Sequence, residues 1–72
     1  MVRHMQISNF RQVQRLVDTA NKVSANIGVY DGNGSIADAK SILGLMSLDF
    51  TRPVKIVSES EQAVLDCINA VM

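Results

Sequence analysis

The chain has 72 residues, of which 47% are hydrophobic and 19% are charged, with seven basic and seven acidic side chains. This length predicts a single small domain over residues 1–72, because it leaves no room for a second core. The net charge of zero and the lack of tryptophan argue against a nucleic-acid-binding protein. There is no apolar run of membrane-spanning length, no signal-peptide pattern at the start, and no partner for the single Cys67, so we expect a cytoplasmic protein that does not contact membranes.

The first part of the chain predicts a strand followed by a helix. Residues 1–7 alternate weakly and predict the strand. Asn9 and Gln12 have the spacing of a capping box, which marks the start of a helix. From Phe10 to Val23 the apolar residues recur every three or four positions, which predicts one amphipathic helix of about four turns.

A hairpin is predicted next. Residues 25–30 alternate as a strand does, and residues 35–38 form a second short strand in which we expect Ile36 to face inward. Between them, the sequence Asp31-Gly32-Asn33-Gly34 favours a tight turn, since Asp, Asn and Gly tolerate positive φ angles.

The following stretch predicts a short and unusually apolar helix. Ser41 is the expected N-cap, because its hydroxyl can accept a hydrogen bond from a backbone N–H of the first turn. Five of the next seven residues are large and apolar: Ile42, Leu43, Leu45, Met46 and Leu48. We expect Leu45 and Leu48 to enter the core and part of the remaining apolar surface to face solvent or a partner. Gly44 is unfavourable in a helix and indicates that another group packs closely there.

A last strand and a third helix complete the prediction. Pro53 opens the strand, and Ser58 with Glu61 has the spacing of a capping box for the helix. Its buried side is expected to consist of Val64, Cys67, Ile68 and Val71. The order β-α-β-β-α-β-α predicts an α+β open sandwich, with helices packed on one face of an antiparallel or mixed four-stranded sheet.

The segment Asp38-Ala39-Lys40-Ser41-Ile42-Leu43-Gly44, with residues 45–48 after it, resembles the regulatory-serine segment of the HPr family, the histidine-containing phosphocarrier proteins of the bacterial sugar phosphotransferase system. The resemblance implies the HPr-like open-faced sandwich, with a largely antiparallel four-stranded sheet and three helices on one face. In that family the serine at this place is phosphorylated by a dedicated ATP-dependent kinase. The apolar positions after it form a docking surface for several partners.

Carried over to this chain, the resemblance implies one phosphorylation site and one docking surface. Ser41 is the expected regulatory phosphorylation site, although an N-cap serine at such a position can also be purely structural. The expected partner-binding residues are Ile42, Leu43 and Met46, together with Lys40 and Arg11. The alternative for the apolar residues is ordinary core packing.

The second signature of the family, a Gly-Leu/Ile-His-Ala-Arg-Pro stretch with the phosphorylated histidine, is absent. The corresponding residues place either Asn9 or Phe10 at the histidine position and keep Arg11 as the arginine. Neither side chain can carry a phosphoryl group. His4, the only histidine, precedes the predicted helix by several residues and does not replace it. We therefore expect no catalytic residue, no enzyme activity and no histidine phosphocarrier function.

The sequence thus favours a regulatory or adaptor protein linked to the phosphotransferase system and carbon control. Its expected partners are HPr kinase/phosphorylase or a carbon-control regulator, bound through the helix after Ser41. One alternative is a structural or interaction domain that kept the HPr fold and lost the pathway. Another is a phosphocarrier with an unrecognised acceptor. No cofactor is expected, and one cysteine with one histidine cannot form a structural zinc site.

Overall fold

The computed structural model describes residues 1–72 and contains four strands and three helices in the predicted order. The strands are Val2–Met5 (β1), Gly28–Tyr30 (β2), Ile36–Asp38 (β3) and Val54–Val57 (β4), and the helices are Phe10–Asn21 (α1), Ile42–Leu45 (α2) and Glu61–Val71 (α3). The α+β fold is therefore confirmed.

The four strands form one antiparallel sheet in the order β1-β4-β2-β3. Side chains alternate across it: Val54 and Ile56 of β4 are fully buried, whereas Lys55 between them is exposed. The buried face shares one core of 17 residues with all three helices. Because successive residues of a strand point to opposite faces, the other face of the sheet stays open to solvent.

The hairpin differs from the prediction in its inward residue. Ile36 is 62% exposed, and Ala37 beside it is buried. Ala37 pairs with the fully buried Val29 of β2, and directly paired residues share a face of the sheet. The prediction that Ile36 faces inward was wrong. In the turn itself, Gly34 alone has a positive φ, of 85°.

The cap of α3 also differs from the prediction. The N-cap is Ser60, whose Oγ accepts a hydrogen bond from the N–H of Ala63 at 3.2 Å. Ser58 is buried and donates its hydroxyl to the carbonyl oxygen of Asn26 at 2.7 Å. The proposed pairing of Ser58 with Glu61 was wrong, because Ser58 joins the end of β4 to the segment before β2 and does not cap the helix.

Helix α1 is shorter than its apolar pattern suggests. It ends at Asn21, so Val23 lies beyond it. Val13, Leu16 and Ala20 are buried as predicted, but Phe10, in the first turn, is 50% exposed. The end of α1 that holds Phe10 therefore presents an aromatic ring to solvent.

Candidate functional site

Ser41 is the N-cap of α2, as predicted. Its backbone is extended, and its Oγ accepts a hydrogen bond from the N–H of Gly44 at 3.1 Å. The backbone N–H of Ser41 donates to the carbonyl oxygen of Asp38 at 2.9 Å. The Asn21 amide, at the end of α1, donates to the carbonyl oxygen of Lys40 at 3.3 Å. Ser41 is exposed, and its position is fixed from both β3 and α1.

At Gly44 an added side chain would make an unusually tight contact with the capping serine. A Cβ atom at this position would be 3.3 Å from Ser41 Oγ and 3.5 Å from the Cβ of Ala37 on β3. The prediction of close packing at Gly44 is therefore confirmed. Glycine lets the first turn of α2 approach the sheet while the serine hydroxyl keeps its capping geometry.

The apolar side chains of the α2 region divide between core and surface. Leu45 and Leu48 are buried, as predicted, whereas Leu43 is 83% and Met46 is 53% exposed. Ile42 is half-buried and packs against the edge of the core. A one-turn helix has only one side that can face the core, so Leu43 and Met46 remain on the surface.

Met46 lines an open groove of about 480 Å³ between the start of α1 and the segment after α2. The groove is bordered by Gln6, Ile7, Ser8, Asn9, Phe10, Val13, Met46, Phe50 and Thr51. Both candidates for the histidine position, Asn9 and Phe10, therefore lie on it. The side-chain oxygen of Asn9 accepts a hydrogen bond from the N–H of Gln12 at 2.9 Å, so it serves as the cap of α1.

Two glutamine side chains fix the walls of this groove. Gln12 accepts a hydrogen bond from the N–H of Ser8 at 2.6 Å and donates one to the carbonyl oxygen of Val71 in α3 at 3.4 Å. Gln6 donates to the carbonyl oxygen of Phe50 at 2.9 Å. The predicted capping box is thus partly correct, since Asn9 caps the helix but Gln12 reaches Ser8 and not Asn9. The loop before α1 is tied to both neighbouring segments.

Two of the remaining predicted docking residues line a second depression along α1. Arg11 and Ile42 line it together, with Arg15 and Asp18 among its other residues. Lys40 is half-buried just before Ser41. The structure therefore distributes the predicted docking residues along the seam between α1 and α2. Leu43 is exposed and lines neither depression.

A buried carboxylate that sequence reasoning treated only as part of a turn supports one end of the groove. Asp31 is 7% exposed and accepts hydrogen bonds from the backbone N–H groups of Asn33 and Ser35 at 2.9 Å and of Asp49 at 3.0 Å. These donors, the Asp49 N–H above all, lower the pKa of Asp31 below its usual value. The sequence signal was the Asp at the start of a Gly-Asn-Gly turn, since Asp often bonds to backbone N–H groups two residues on.

Asp49 continues this network toward the groove. Its carboxylate accepts hydrogen bonds from the hydroxyl and the N–H of Thr51, which lower the pKa of Asp49. It also accepts one from the side chain of Asn33 at 3.1 Å, and the Arg52 guanidinium donates to Asn33 at 2.9 Å. The hairpin turn is thus connected to the segment that carries Phe50 and Thr51.

Cys67 and His4, the residues with the most reactive side chains by type, both lie away from the groove. Burial raises the pKa of the Cys67 thiol, which lies inside the core. His4 is exposed on β1 opposite Lys55 and does not border the groove. No group of three or more His, Cys, Asp or Glu side chains is arranged to hold a metal ion. None of the helices combines the length and hydropathy needed to cross a bilayer.

Comparison with known proteins gives a consistent result over almost the whole chain. Residues 8–72 match a family model described as "PTS HPr component phosphorylation site". The crystal structure of a phosphocarrier protein HPr from Bacillus anthracis str. Ames is 26% identical, with a TM-score of 0.81 over 100% of this chain and 96% of that one. That of HPr-C-His from Thermoanaerobacter tengcongensis is 30% identical, with a TM-score of 0.74 over 99% of this chain and 93% of that one. No curated protein shows significant sequence similarity.

Proposed function

The chain belongs to the HPr family of the bacterial sugar phosphotransferase system, and from this premise we propose that it is a regulatory or adaptor protein and not a histidine phosphocarrier. Members of this family interact with other proteins of the phosphotransferase system. The proposed partner is HPr kinase/phosphorylase or a carbon-control regulator. A cytoplasmic location belongs to the same proposal, supported by the free, buried Cys67.

The exposed apolar surface of α2 carries this proposal. Leu43 is 83% exposed and Met46 is 53% exposed, while different residues, Leu45 and Leu48, attach the helix to the core. The surface side chains are therefore free to contact a partner without weakening the fold. Methionine suits such a surface because its flexible thioether fits partners of different shape. Arg11 and Lys40 add positive charge along the same seam.

The start of α1 supports the loss of carrier function. Phosphoryl transfer through a carrier needs a nucleophilic side chain that is exposed and able to accept the phosphoryl group. At the two candidate positions this chain has an amide, Asn9, that caps the helix, and a phenyl ring, Phe10. His4 is separated from the groove, on β1. Arg11 corresponds to the family's arginine, but this chain has no histidine at the neighbouring position for it to assist.

Ser41 provides the proposed switch. A kinase would transfer the γ-phosphoryl group of ATP to Ser41 Oγ, breaking the bond between the β- and γ-phosphates and releasing the hydroxyl proton. The product carries a charge of about −1.5 to −2 beside Leu43 and Lys40. Because Ser41 is exposed and its hydroxyl oxygen already accepts a hydrogen bond from the Gly44 N–H, the added phosphate needs no unfolding of α2. It would change the charge of the docking surface and leave its shape intact.

The decisive experiment is intact mass spectrometry after incubation with an HPr kinase and ATP. We expect the addition of one phosphate group, and its loss in Ser41→Ala. Ser47→Ala is the matched control, because Ser47 is another exposed hydroxyl of the same region, donating to the Gly44 carbonyl oxygen at 2.7 Å. A protein that takes no phosphate, or takes it equally in Ser41→Ala, would contradict the regulatory proposal. The alternative of an interaction domain detached from the pathway would then be favoured.

The docking surface is tested by titration with the same kinase. Met46→Asp and Ile42→Asp are expected to weaken binding at least about tenfold, since each places a charge in an apolar contact. The control is Ile36→Asp, because Ile36 is a similarly exposed aliphatic side chain on the sheet. If Met46→Asp and Ile42→Asp kept their far-UV circular dichroism and bound the kinase as tightly as Ile36→Asp and the wild type, docking through α2 would be refuted.

A further inference from the structure

Met46 differs from the other methionines in its surroundings. The chain has four methionines; Met5 is only 7% exposed in the core, and Met1 is half-buried. Met72, at the end of the chain, is 86% exposed, and Met46 is 53% exposed. Of these two exposed methionines, Met46 is the one that borders the groove.

The side chain of Met46 can change without loss of the fold. Its backbone N–H donates to the carbonyl oxygen of Ile42 at 3.0 Å and closes the turn of α2. The neighbouring Leu45, with no exposed surface, makes the core contact. Met46 instead borders the groove together with Phe10 and Phe50. Oxidation of the Met46 sulfur would therefore change the surface of the groove and leave the core contact of Leu45 unchanged.

We infer that Met46 is an oxidation site that controls the apolar character of the groove. In the reaction with a peroxide, a sulfur lone pair attacks one peroxide oxygen, the O–O bond breaks, and an S–O bond forms. The sulfur is oxidised by two electrons, the peroxide is reduced, and water leaves when the oxidant is hydrogen peroxide. The sulfoxide is polar, and methionine sulfoxide reductases reverse the change.

Oxidation opposes binding of any apolar group beside Met46. The sulfoxide oxygen is a strong hydrogen-bond acceptor, and an apolar ligand that covered it would remove its water without replacing the hydrogen bond. Burial of an unpaired polar group of this kind corresponds to a loss of about fivefold or more in affinity. The inference rests on the proposed function only for the identity of the partner protein whose binding is weakened. The effect of the sulfoxide on the groove does not depend on that partner.

The test uses Met72→Leu as the parent protein, so that Met46 is the most exposed methionine left. After treatment with hydrogen peroxide, peptide mass mapping is expected to find one added oxygen at Met46 and none at Met5. Binding of anilinonaphthalene sulfonate, an apolar dye, is followed by its fluorescence and by the NMR chemical shifts of the backbone amides of Phe10 and Phe50. We expect oxidation to weaken it at least about fivefold, and a sulfoxide reductase with dithiothreitol to restore it.

The matched control is the double variant Met46→Leu/Met72→Leu, in which leucine keeps the groove apolar but cannot be oxidised. It should bind the dye before and after peroxide treatment with equal affinity. An unoxidised Met46 in the treated parent, or dye binding that is the same with and without the sulfoxide, would overturn the inference. So would a loss of dye binding in the peroxide-treated double variant.

The kinase assay separates this inference from the proposed function. If the unoxidised parent is phosphorylated at Ser41, oxidation of Met46 should slow the reaction, and the double variant should be insensitive to peroxide. If the unoxidised parent is not phosphorylated at all, the regulatory proposal fails. The dye experiment then still decides whether Met46 controls the groove.

Discussion

Replacement of Leu45 by alanine tests whether one buried side chain holds α2 on the core. Leu45 has no exposed surface, whereas Leu43, two positions earlier, is 83% exposed. Truncation of a buried leucine costs about 2–5 kcal/mol in the free energy of unfolding, and a surface change usually costs less than about 0.5 kcal/mol. Since about 0.05–0.15 kcal/mol per residue is typical of folded proteins, Leu45→Ala should remove a large share of the total stability of a chain of this size.

For a loss of about 3 kcal/mol, the melting temperature of a domain this small should fall by about 12–24 °C. The chain has no tryptophan, so the assay is far-UV circular dichroism during heating and during urea titration. Leu43→Ala is the matched control, and we expect it to shift the melting temperature by only a few degrees. If the two variants lost equal stability, the division of α2 into a buried and a free side would be refuted.

Three smaller perturbations test a cap, the turn and the buried carboxylate. Ser60→Ala should lower the free energy of unfolding by about 1 kcal/mol through loss of the α3 cap; an unchanged urea midpoint would contradict this. Gly34→Ala should cost about 1–2 kcal/mol, measured the same way, because φ is 85° there with open space around it; Gly34→Asn, tolerant of positive φ, should cost less. Asp31→Asn should lower the melting temperature at neutral pH. Because folding lowers the pKa of Asp31, its stabilising effect is present above the unfolded pKa of about 3.9 and is lost as the pH falls from there through the lower folded pKa. The difference in melting temperature between wild type and Asp31→Asn should therefore narrow as the pH falls below about 4, and a constant difference would refute the role of the carboxylate.

Most of the architecture followed from local patterns. The stripe through Val13, Leu16 and Ala20 defined α1, because a period of three to four residues suits only a helix with one buried side. Asn9 and Ser41 were recognised as caps because short polar side chains can bond to the free N–H groups of a first turn. The order of elements then restricted the fold to an open sandwich.

Local patterns gave wrong predictions where two nearby residues could each have taken the same role. Ile36 was expected to face inward, but the pairing of β3 with β2 places Ala37 on the buried face. Ser58 and Ser60 are both good caps by residue type. The tertiary contact of Ser58 with the Asn26 carbonyl leaves Ser60 to begin the helix.

The candidate site shows the same division. The sequence by itself determined the capping hydroxyl of Ser41, the excess of apolar residues after it, and the absence of a histidine at the start of α1, because these depend on residue type and spacing alone. The tertiary structure decided that Met46 and Phe10 share a groove. It also decided that Asp31 accepts a hydrogen bond from the N–H of Asp49, which directly precedes the groove residue Phe50. Those contacts join segments far apart in the chain, and their formation depends on how the helices and the hairpin pack, which no local pattern specifies.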